Sequence, residues 1–309
     1  MKTKRFLLLI TLVSFSTLFL VTGCKKDDEP TPVNTESLQQ TSDDENRLQD
    51  ETDRIMNDAN VFIMQGELKS TAFMPCNANL DSVVVVNDTV VFYITYNGLS
   101  CNGKFNRTGN VEMRIPQGTF WVQPGATMNL KLINYTVTRV ATNKTMVLNG
   151  IKNYTNVTGG HIGLLGITYD TIVHEVSGSL QATFENNTTR TWEIARRKTF
   201  TGASGQLEIT LEGFGTSGEM NNLVTWGVNR AGEEFYSQIQ QPIVLKETCD
   251  FNAVSGIKKH MIPSDSKSAT VTFGFNDNNQ PIGPGECPTK YKLDWEKNGN
   301  SGTLYLPVF

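Results

Sequence analysis

The strongest constraint on the fold is a two-residue alternation of apolar and polar side chains that recurs in five segments. These segments are residues 111–115, 207–211, 269–275, 291–295 and 304–306. Because successive side chains of a β-strand point to opposite faces, this period predicts antiparallel strands with one buried and one wet face. Only one helical pattern precedes them, which disfavours alternating βαβ architecture. We predict an all-β fold, either an extended antiparallel sheet or sandwich-like halves, preceded by one N-terminal helix.

Asparagine–glycine pairs separate the strand segments, for example Asn97-Gly98, Asn149-Gly150 and Asn298-Gly299. Such pairs favour hairpin turns, because both residue types tolerate the positive φ that these turns require. A glycine-rich stretch marks a candidate internal boundary near residues 159–166. We therefore predict an antiparallel β region over residues 67–309 and leave open whether it forms one domain or two.

The single helical pattern lies just before the β region. Ser42 followed by Glu45 fits a capping box, in which the two side chains bond backbone N–H groups at the helix start. Leu48, Ile55 and Phe62 then recur at spacings that place them on one stripe. The pattern predicts an amphipathic helix within residues 42–66 that packs its apolar stripe against the β region.

The first 23 residues have the layout of a bacterial lipoprotein signal peptide. Three basic residues precede an apolar stretch over residues 6–21, which at 16 residues is short for a transmembrane helix. The following Val21-Thr22-Gly23-Cys24 resembles a lipobox, whose cysteine thiol is the lipid attachment point. We predict that residues 1–23 are removed and that Cys24 is acylated, as with palmitate, so that the chain is anchored in the outer membrane.

Negative charge is concentrated soon after Cys24. Residues 25–60 hold four basic and eleven acidic residues, whereas residues 61–309 hold 20 of each sign. We predict a lipidated, flexible, acidic tether over residues 24–41, because its prolines and polar residues cannot form a core. Its start, Lys25-Lys26-Asp27-Asp28-Glu29, resembles the surface-export signal of Bacteroidota lipoproteins, which implies exposure at the cell surface. The neutral β region argues against a nucleic-acid partner.

Four further cysteines are Cys76, Cys101, Cys249 and Cys287. An even number in an exported protein favours disulfides, and four cysteines allow three connectivities. Our first choice pairs Cys76 with Cys101 and Cys249 with Cys287, one pair in each half of the chain. A zinc site is the alternative, but no CxxC motif or histidine cluster supports it. We expect no metal and no other cofactor.

No catalytic constellation is visible in the sequence. The three histidines, His161, His174 and His260, are far apart. Residues 213–218 match GxGxxG, but no helical pattern follows, so we interpret this segment as a loop rather than a dinucleotide site. The acid pairs Glu233-Glu234 and Asp294/Glu296 do not suggest cooperating carboxylates, because neighbours in a strand face opposite ways and the second pair lies beside lysines. We predict that the protein is not an enzyme.

Two patterns suggest contacts with glycans. Four tryptophans could stack on sugar rings, although aromatic residues are also common in strands and cores; they are Trp121, Trp192, Trp226 and Trp295. Three short segments resemble the Bacteroidota O-glycosylation pattern of aspartate, then serine or threonine, then an apolar residue. The candidate O-glycosylation residues are Ser82, Thr89 and Thr171.

The whole layout resembles an uncharacterised family of Bacteroidota-type outer-membrane lipoproteins. The matching features are the lipobox and acidic tether at Cys24, the helix, and the long antiparallel β region. Within that region the resemblance rests on residues 101–109, 285–287 and the Asn298-Gly299 hairpin. It spans nearly the whole mature chain, although Pro288 stands where an acidic residue is expected. The resemblance implies no catalytic residues for this chain.

Taken together, these patterns predict a non-enzymatic, lipid-anchored envelope or cell-surface protein with a binding or structural role. Its partners would be the membrane, through the acyl chains on Cys24, and a protein or glycan that the sequence does not identify. A glycan-binding module is the main alternative. A hydrolase is a further alternative, because carboxylates distant in sequence can converge in space.

Overall fold

The computed structural model describes residues 36–68 and 75–308, which belong to one compact unit. One α-helix is followed by fifteen antiparallel strands in a single sheet, so the prediction of an all-β fold with one helix is confirmed. The helix α1 spans Glu36–Leu68. The strands are β1 Ala78–Val86, β2 Thr89–Leu99, β3 Phe105–Pro116, β4 Ala126–Arg139, β5 Lys144–Asn156, β6 Thr171–Phe184, β7 Thr189–Thr201, β8 Glu208–Gly213, β9 Gly215–Ser217, β10 Met220–Val228, β11 Glu234–Lys246, β12 Ala253–Ile262, β13 Lys267–Phe275, β14 Lys290–Lys297 and β15 Asn300–Pro307.

The sheet is a meander in which strands follow one another in nearly sequential order. From β1 to β7 each strand pairs with the next, and the path then continues from β10 to β15. The short strand β8 pairs with β7 and β11, and β9 pairs with β10. Residues 159–166 lie in the connection between β5 and β6, which pair along their length from Met146↔Phe184 to Asn156↔His174. This segment is therefore not a domain boundary, because the ladder continues without interruption beside it.

The helix begins earlier than the sequence predicted. Residues 36–41, assigned to the flexible tether, form the first turns of α1, so Ser42 lies inside the helix and not at its N-cap. Glutamate, leucine and glutamine in this stretch are good helix formers, and residues 36–41 contain no proline or glycine that would interrupt the helix. The predicted signal peptide, the predicted acylation site Cys24 and tether residues 24–35 lie outside the described residues. No helix in the described part of the chain is long and apolar enough to cross a membrane.

The sheet curves around α1. Asp58 accepts a hydrogen bond from Tyr96 of β2, and Glu45 accepts one from Lys258 of β12. On a flat sheet these two strands would lie ~38 Å apart at ~4.8 Å per step, whereas the two acidic residues are only ~20 Å apart along the helix. Curvature brings both strands to one helix, and Leu48, Ile55 and Phe62 are buried in the resulting core.

The interface between α1 and the sheet is also strongly polar. The helix carries nine acidic and two basic residues, and several of its acids are buried against bases on the inner face of the sheet. Asp44 pairs with Arg230, Asp58 accepts a hydrogen bond from Arg107 at 2.8 Å, and Glu51 accepts one from Tyr135 at 2.7 Å. Buried charges are tolerated when they are paired and hydrogen-bonded, so these contacts set the position of α1 along the sheet.

Both predicted disulfides are present. Cys76–Cys101 ties the residues before β1 to the turn between β2 and β3, and Cys249–Cys287 joins the loops that precede β12 and β14. The sequence separations are 25 and 38 residues, so each bond stabilises the fold by ~3–4 kcal/mol on a loop-entropy basis. The first choice of connectivity is confirmed, and these four sulfurs are not zinc ligands.

Candidate functional site

A cavity of about 350 Å³ lies between α1 and strands β5 to β8 and is partly open to solvent. Residues from α1, β5, β6, β7 and β8 form most of its wall, and Leu245 and Phe251 complete it. Small-molecule sites typically have volumes of ~300–1,000 Å³ and combine an apolar wall with a few convergent polar groups. The cavity has both features: an apolar wall and a polar end that contains Asp53, His174 and Lys198.

The apolar wall follows from strand periodicity. Leu207, Ile209 and Leu211 alternate along and just before β8, so all three face the cavity. Val176 of β6 and Phe200 of β7 extend this wall across the neighbouring strands. The alternation that predicts these strands also predicts which of their side chains share a face, but not that they leave a space against α1.

The polar end contains one ion pair and three unpartnered polar atoms. Lys198 Nζ donates to Asp53 Oδ2 at 2.7 Å, which links β7 to α1. Three buried atoms of the lining residues have no hydrogen-bond partner within the described part of the chain, namely Asn60 Oδ1, Tyr154 Oη and His174 Nε2. Most buried polar groups in proteins have a partner. Three such atoms beside one cavity therefore indicate where a polar group of a ligand would bind.

His174 is held as a neutral imidazole. Its ring packs edge-on between Trp121 and Phe200, with centroid distances of 5.3 and 5.2 Å. Burial, followed by the positive charge of Lys198, lowers the pKa of His174 from 6.5 to about 4. A neutral imidazole offers one donor and one acceptor nitrogen, so at neutral pH His174 can hydrogen-bond a ligand without adding charge.

Lys152 does not itself line the cavity, but it places a buried amine near Tyr154, which does. The residue is 2% exposed, and its Nζ lies 5.3 Å from the ring centroid of Tyr154. Burial lowers the pKa of Lys152 to about 7; Asp53 opposes this shift, whereas Arg196 and Lys198 reinforce it. Asp53 also pairs with Lys198, so one carboxylate faces two amines. The positive charge of protonated Lys152 is therefore only partly balanced by Asp53.

The structure does not bring the three histidines together. His161 accepts a hydrogen bond from the Gly163 backbone N–H at 3.1 Å, His174 lines the cavity, and His260 lies beneath α1. Residues 213–218 form the end of β8 and the strand β9, rather than the predicted loop. Strand pairing imposes this conformation, because β8 pairs with β7 and β11 while β9 pairs with β10.

Ser237, His260 and Glu45 have the composition of a hydrolase triad but not its geometry. The serine and the acid of such a triad lie at different ring nitrogens of the histidine. Here Ser237 Oγ and the Glu45 carboxylate both lie near His260 Nδ1, at 2.8 and 3.6 Å. All three residues are at most 3% exposed, so Ser237 has no open face towards a substrate. This cluster holds α1 against β11 and β12.

The two acid pairs are engaged in local contacts. Glu233 accepts a hydrogen bond from Asn229, and the neighbouring Glu234 is exposed. Asp294 accepts from Thr303 across the strand pair and forms an ion pair with Lys292 at 2.8 Å. Neither pair lines the cavity, where Asp53 is the one carboxylate among the described lining residues.

The tryptophans do not form a common platform for sugars. Trp121 and Trp192 are buried in the core, whereas Trp226 and Trp295 are half-buried. The two half-buried rings cover glycines on the adjacent strands, Gly215 and Gly302. Of the candidate O-glycosylation residues, Ser82 and Thr171 are exposed and Thr89 is half-buried.

The sequence analysis did not predict the polar end of the cavity, although the residue pattern of one strand, β5, contains part of the evidence for it. On β5, Met146, Leu148, Lys152 and Tyr154 share the inward face. A lysine at an inward position of a strand is unusual, because lysine is rarely buried without a partner. Its approach to Asp53, about a hundred residues earlier in the chain, depends on the curvature of the sheet and has no sequence signature.

No protein-family model, curated protein or solved structure matches this chain. Among the described residues, no group of three histidine, cysteine, aspartate or glutamate side chains could hold a metal ion. The cavity is therefore the feature from which a function can be inferred.

Proposed function

We propose that this chain is a non-enzymatic, lipid-anchored protein of the cell envelope that binds a small molecule in the cavity between α1 and β5–β8. The observation that carries the proposal is the combination at one place of an apolar wall and three unpartnered buried polar atoms. Leaving a polar atom buried and unpaired costs ~1–3 kcal/mol. A ligand that satisfies Tyr154 and His174 would recover part of this cost.

The lining residues favour binding over catalysis. Among the described residues that line the cavity there is no serine, threonine or cysteine that could act as a nucleophile. Glycoside hydrolysis generally requires two carboxylates across a cleft, and the one carboxylate among these described lining residues, Asp53, is already paired with Lys198. The polar groups are suited to orienting a ligand rather than to transferring protons in sequence.

Two features support an envelope location. The order of basic residues, apolar stretch and Val21-Thr22-Gly23-Cys24 is that of a lipoprotein leader, and two disulfides are typical of proteins that fold outside the cytosol. Metabolic labelling with palmitate tests the anchor. We expect label in the wild-type chain and none in Cys24→Ala; equal labelling of both would contradict the lipid anchor.

A cavity-filling substitution tests the binding site. Val176 lines the cavity, whereas Val173, three residues earlier on β6, points to the opposite face. The protein would be purified from its own envelope and analysed by native mass spectrometry, with the thermal unfolding of each variant measured in parallel. We expect a bound small-molecule mass in the wild type and in the control Val173→Phe, but not in Val176→Phe. The same mass in Val176→Phe, or no bound mass in the wild type, would refute the proposal.

A further inference from the structure

We infer that the ligand is a single-headed amphiphilic anion, an alkyl carboxylate, whose head lies among Tyr154, His174 and Lys198 and whose tail follows the wall formed by β6, β7 and β8. This inference rests on the proposed function, because it assigns a ligand class to the same cavity. Three features of the cavity support this class: the hydrogen-bond donors, the charges around them and the apolar wall.

The donors at the polar end suit a carboxylate. Tyr154 Oη is an unpartnered hydroxyl donor, and His174 Nε2 can donate from the neutral ring. Lys198 carries three N–H donors, of which the structure assigns one to Asp53. A carboxylate has two oxygens and about four acceptor sites, so it can use these donors together. A neutral head such as a hydroxyl group offers fewer acceptors and no compensating charge.

The charges facing Lys152 also favour an anion. Asp53 of α1 is the negative group on one side, and Arg196 and Lys198 of β7 are the positive groups on the other. Arg196 lies 3.8 Å from Glu45, which is its own buried counter-charge. His174 of β6 is neutral. Asp53 is therefore shared between Lys152 and Lys198, and one added negative charge would balance the two amines.

The rest of the cavity is suited to an alkyl chain. Leu207, Ile209 and Leu211 form one continuous row, with Val176 and Phe200 beside it. These side chains offer no hydrogen-bonding groups, so they select against sugars and other ligands that are polar throughout. Burial of each additional CH₂ group should raise affinity about fourfold until the wall is filled.

Lys152 gives this assignment a pH signature. In the empty cavity, burial and the neighbouring cations hold the pKa of Lys152 at about 7. A bound anion favours the protonated amine and raises that pKa, so binding takes up a proton at and above pH 7. Affinity should be greatest below about pH 7 and should fall by up to tenfold per pH unit above it.

The test compares ligands that differ only in their head group. Radiolabelled octanoate, octanol and octylammonium would be dialysed against the full chain in phosphatidylcholine vesicles, with protein-free vesicles as the blank for partitioning. The variant Lys152→Met removes the buried charge and keeps the unbranched side chain. The control Lys131→Met makes the same change on β4, where the lysine side chain is 44% exposed.

We expect octanoate to bind the wild type and Lys131→Met at least tenfold more tightly than it binds Lys152→Met. The fall in affinity above pH 7 should be absent in Lys152→Met, and thermal unfolding would show that this variant is folded. Equal binding of octanoate and octanol, or unchanged octanoate binding in Lys152→Met, would overturn the carboxylate assignment while leaving the cavity as a binding site. If none of the three probes binds and native mass spectrometry finds no ligand, the proposed function itself fails.

Discussion

The ion-pair network around Glu45 should contribute a large share of the stability of this fold. The carboxylate is fully buried and accepts hydrogen bonds from Lys258 and Ser237, and Arg196 lies 3.8 Å away. Burial alone would raise the pKa of Glu45, but Lys258, His260 and Arg196 outweigh it and hold the pKa well below its usual range. The side chain is therefore ionised in the folded protein and acts as the counter-charge for buried bases.

The substitution Glu45→Gln removes this charge and keeps the size of the side chain. Lys258 and Arg196 then remain buried without their anion, a situation that typically costs ~3–5 kcal/mol. The matched control is Glu208→Gln, because Glu208 is 38% exposed and pairs with Lys246 at 3.3 Å. An exposed pair of this kind contributes only ~0.2–1 kcal/mol.

Urea unfolding measures both changes when it is followed by tryptophan fluorescence, to which the buried Trp121 and Trp192 contribute. We expect Glu45→Gln to lower the free energy of unfolding by ~3–5 kcal/mol, and Lys258→Met in the same chain to recover part of that loss. If Glu45→Gln costs no more than Glu208→Gln, the network does not hold α1 in place, and apolar packing alone must position the helix.

Three further predictions concern pH, the buried lysine and the disulfides. Burial lowers the pKa of His260 to about 3 and of His174 to about 4, both from 6.5. Because these folded-state values lie below the unfolded one, the contribution of the two histidines to stability should be full above about pH 6.5 and should be lost as the pH drops towards 4; a constant urea midpoint between these two pH values would contradict it. Lys152→Met should raise the free energy of unfolding by ~1–4 kcal/mol at neutral pH, because it removes a buried amine that is costly to protonate; a lower melting temperature would refute this. Cys76→Ser together with Cys101→Ser should lower the free energy of unfolding by ~3–4 kcal/mol. An unchanged urea midpoint would show that this disulfide does not stabilise the fold.

Local pattern was sufficient for much of the fold. The alternation at residues 111–115, 207–211 and 269–275 predicted strands that the structure confirms as β3, β8 and β13, apart from shifts at their ends. The period of two is a property of the extended backbone, so it can be read without knowledge of the neighbouring strands. The pairing of Cys76 with Cys101 and of Cys249 with Cys287 was also predicted, from the position of one pair in each half of the chain. The meander explains why it holds, because the two cysteines of each pair lie within a few strands of each other.

The start of the helix and the boundary between domains were less well predicted, since several residue types are compatible with both helix and loop. Residues 36–41 are polar enough to suggest a tether, but they are good helix formers and continue α1. Glycines near residues 159–166 suggested a boundary, although they only allow the turns of a connection whose flanking strands pair with each other.

The sequence by itself determined the class of the fold, the apolar stripe of α1 and the faces of the strands, because these depend on the spacing of neighbouring residues. Only the tertiary structure decided that acidic residues of α1, namely Asp44, Glu45 and Glu51, are buried as well. Glu45 meets Lys258 more than two hundred residues away, and Asp53 meets Lys198 across 145 residues. These contacts require the sheet to curve around the helix, and the curvature is the summed twist and pairing of all the strands. The cavity is the space that this curvature leaves beside α1, so no local segment of the sequence could encode it alone.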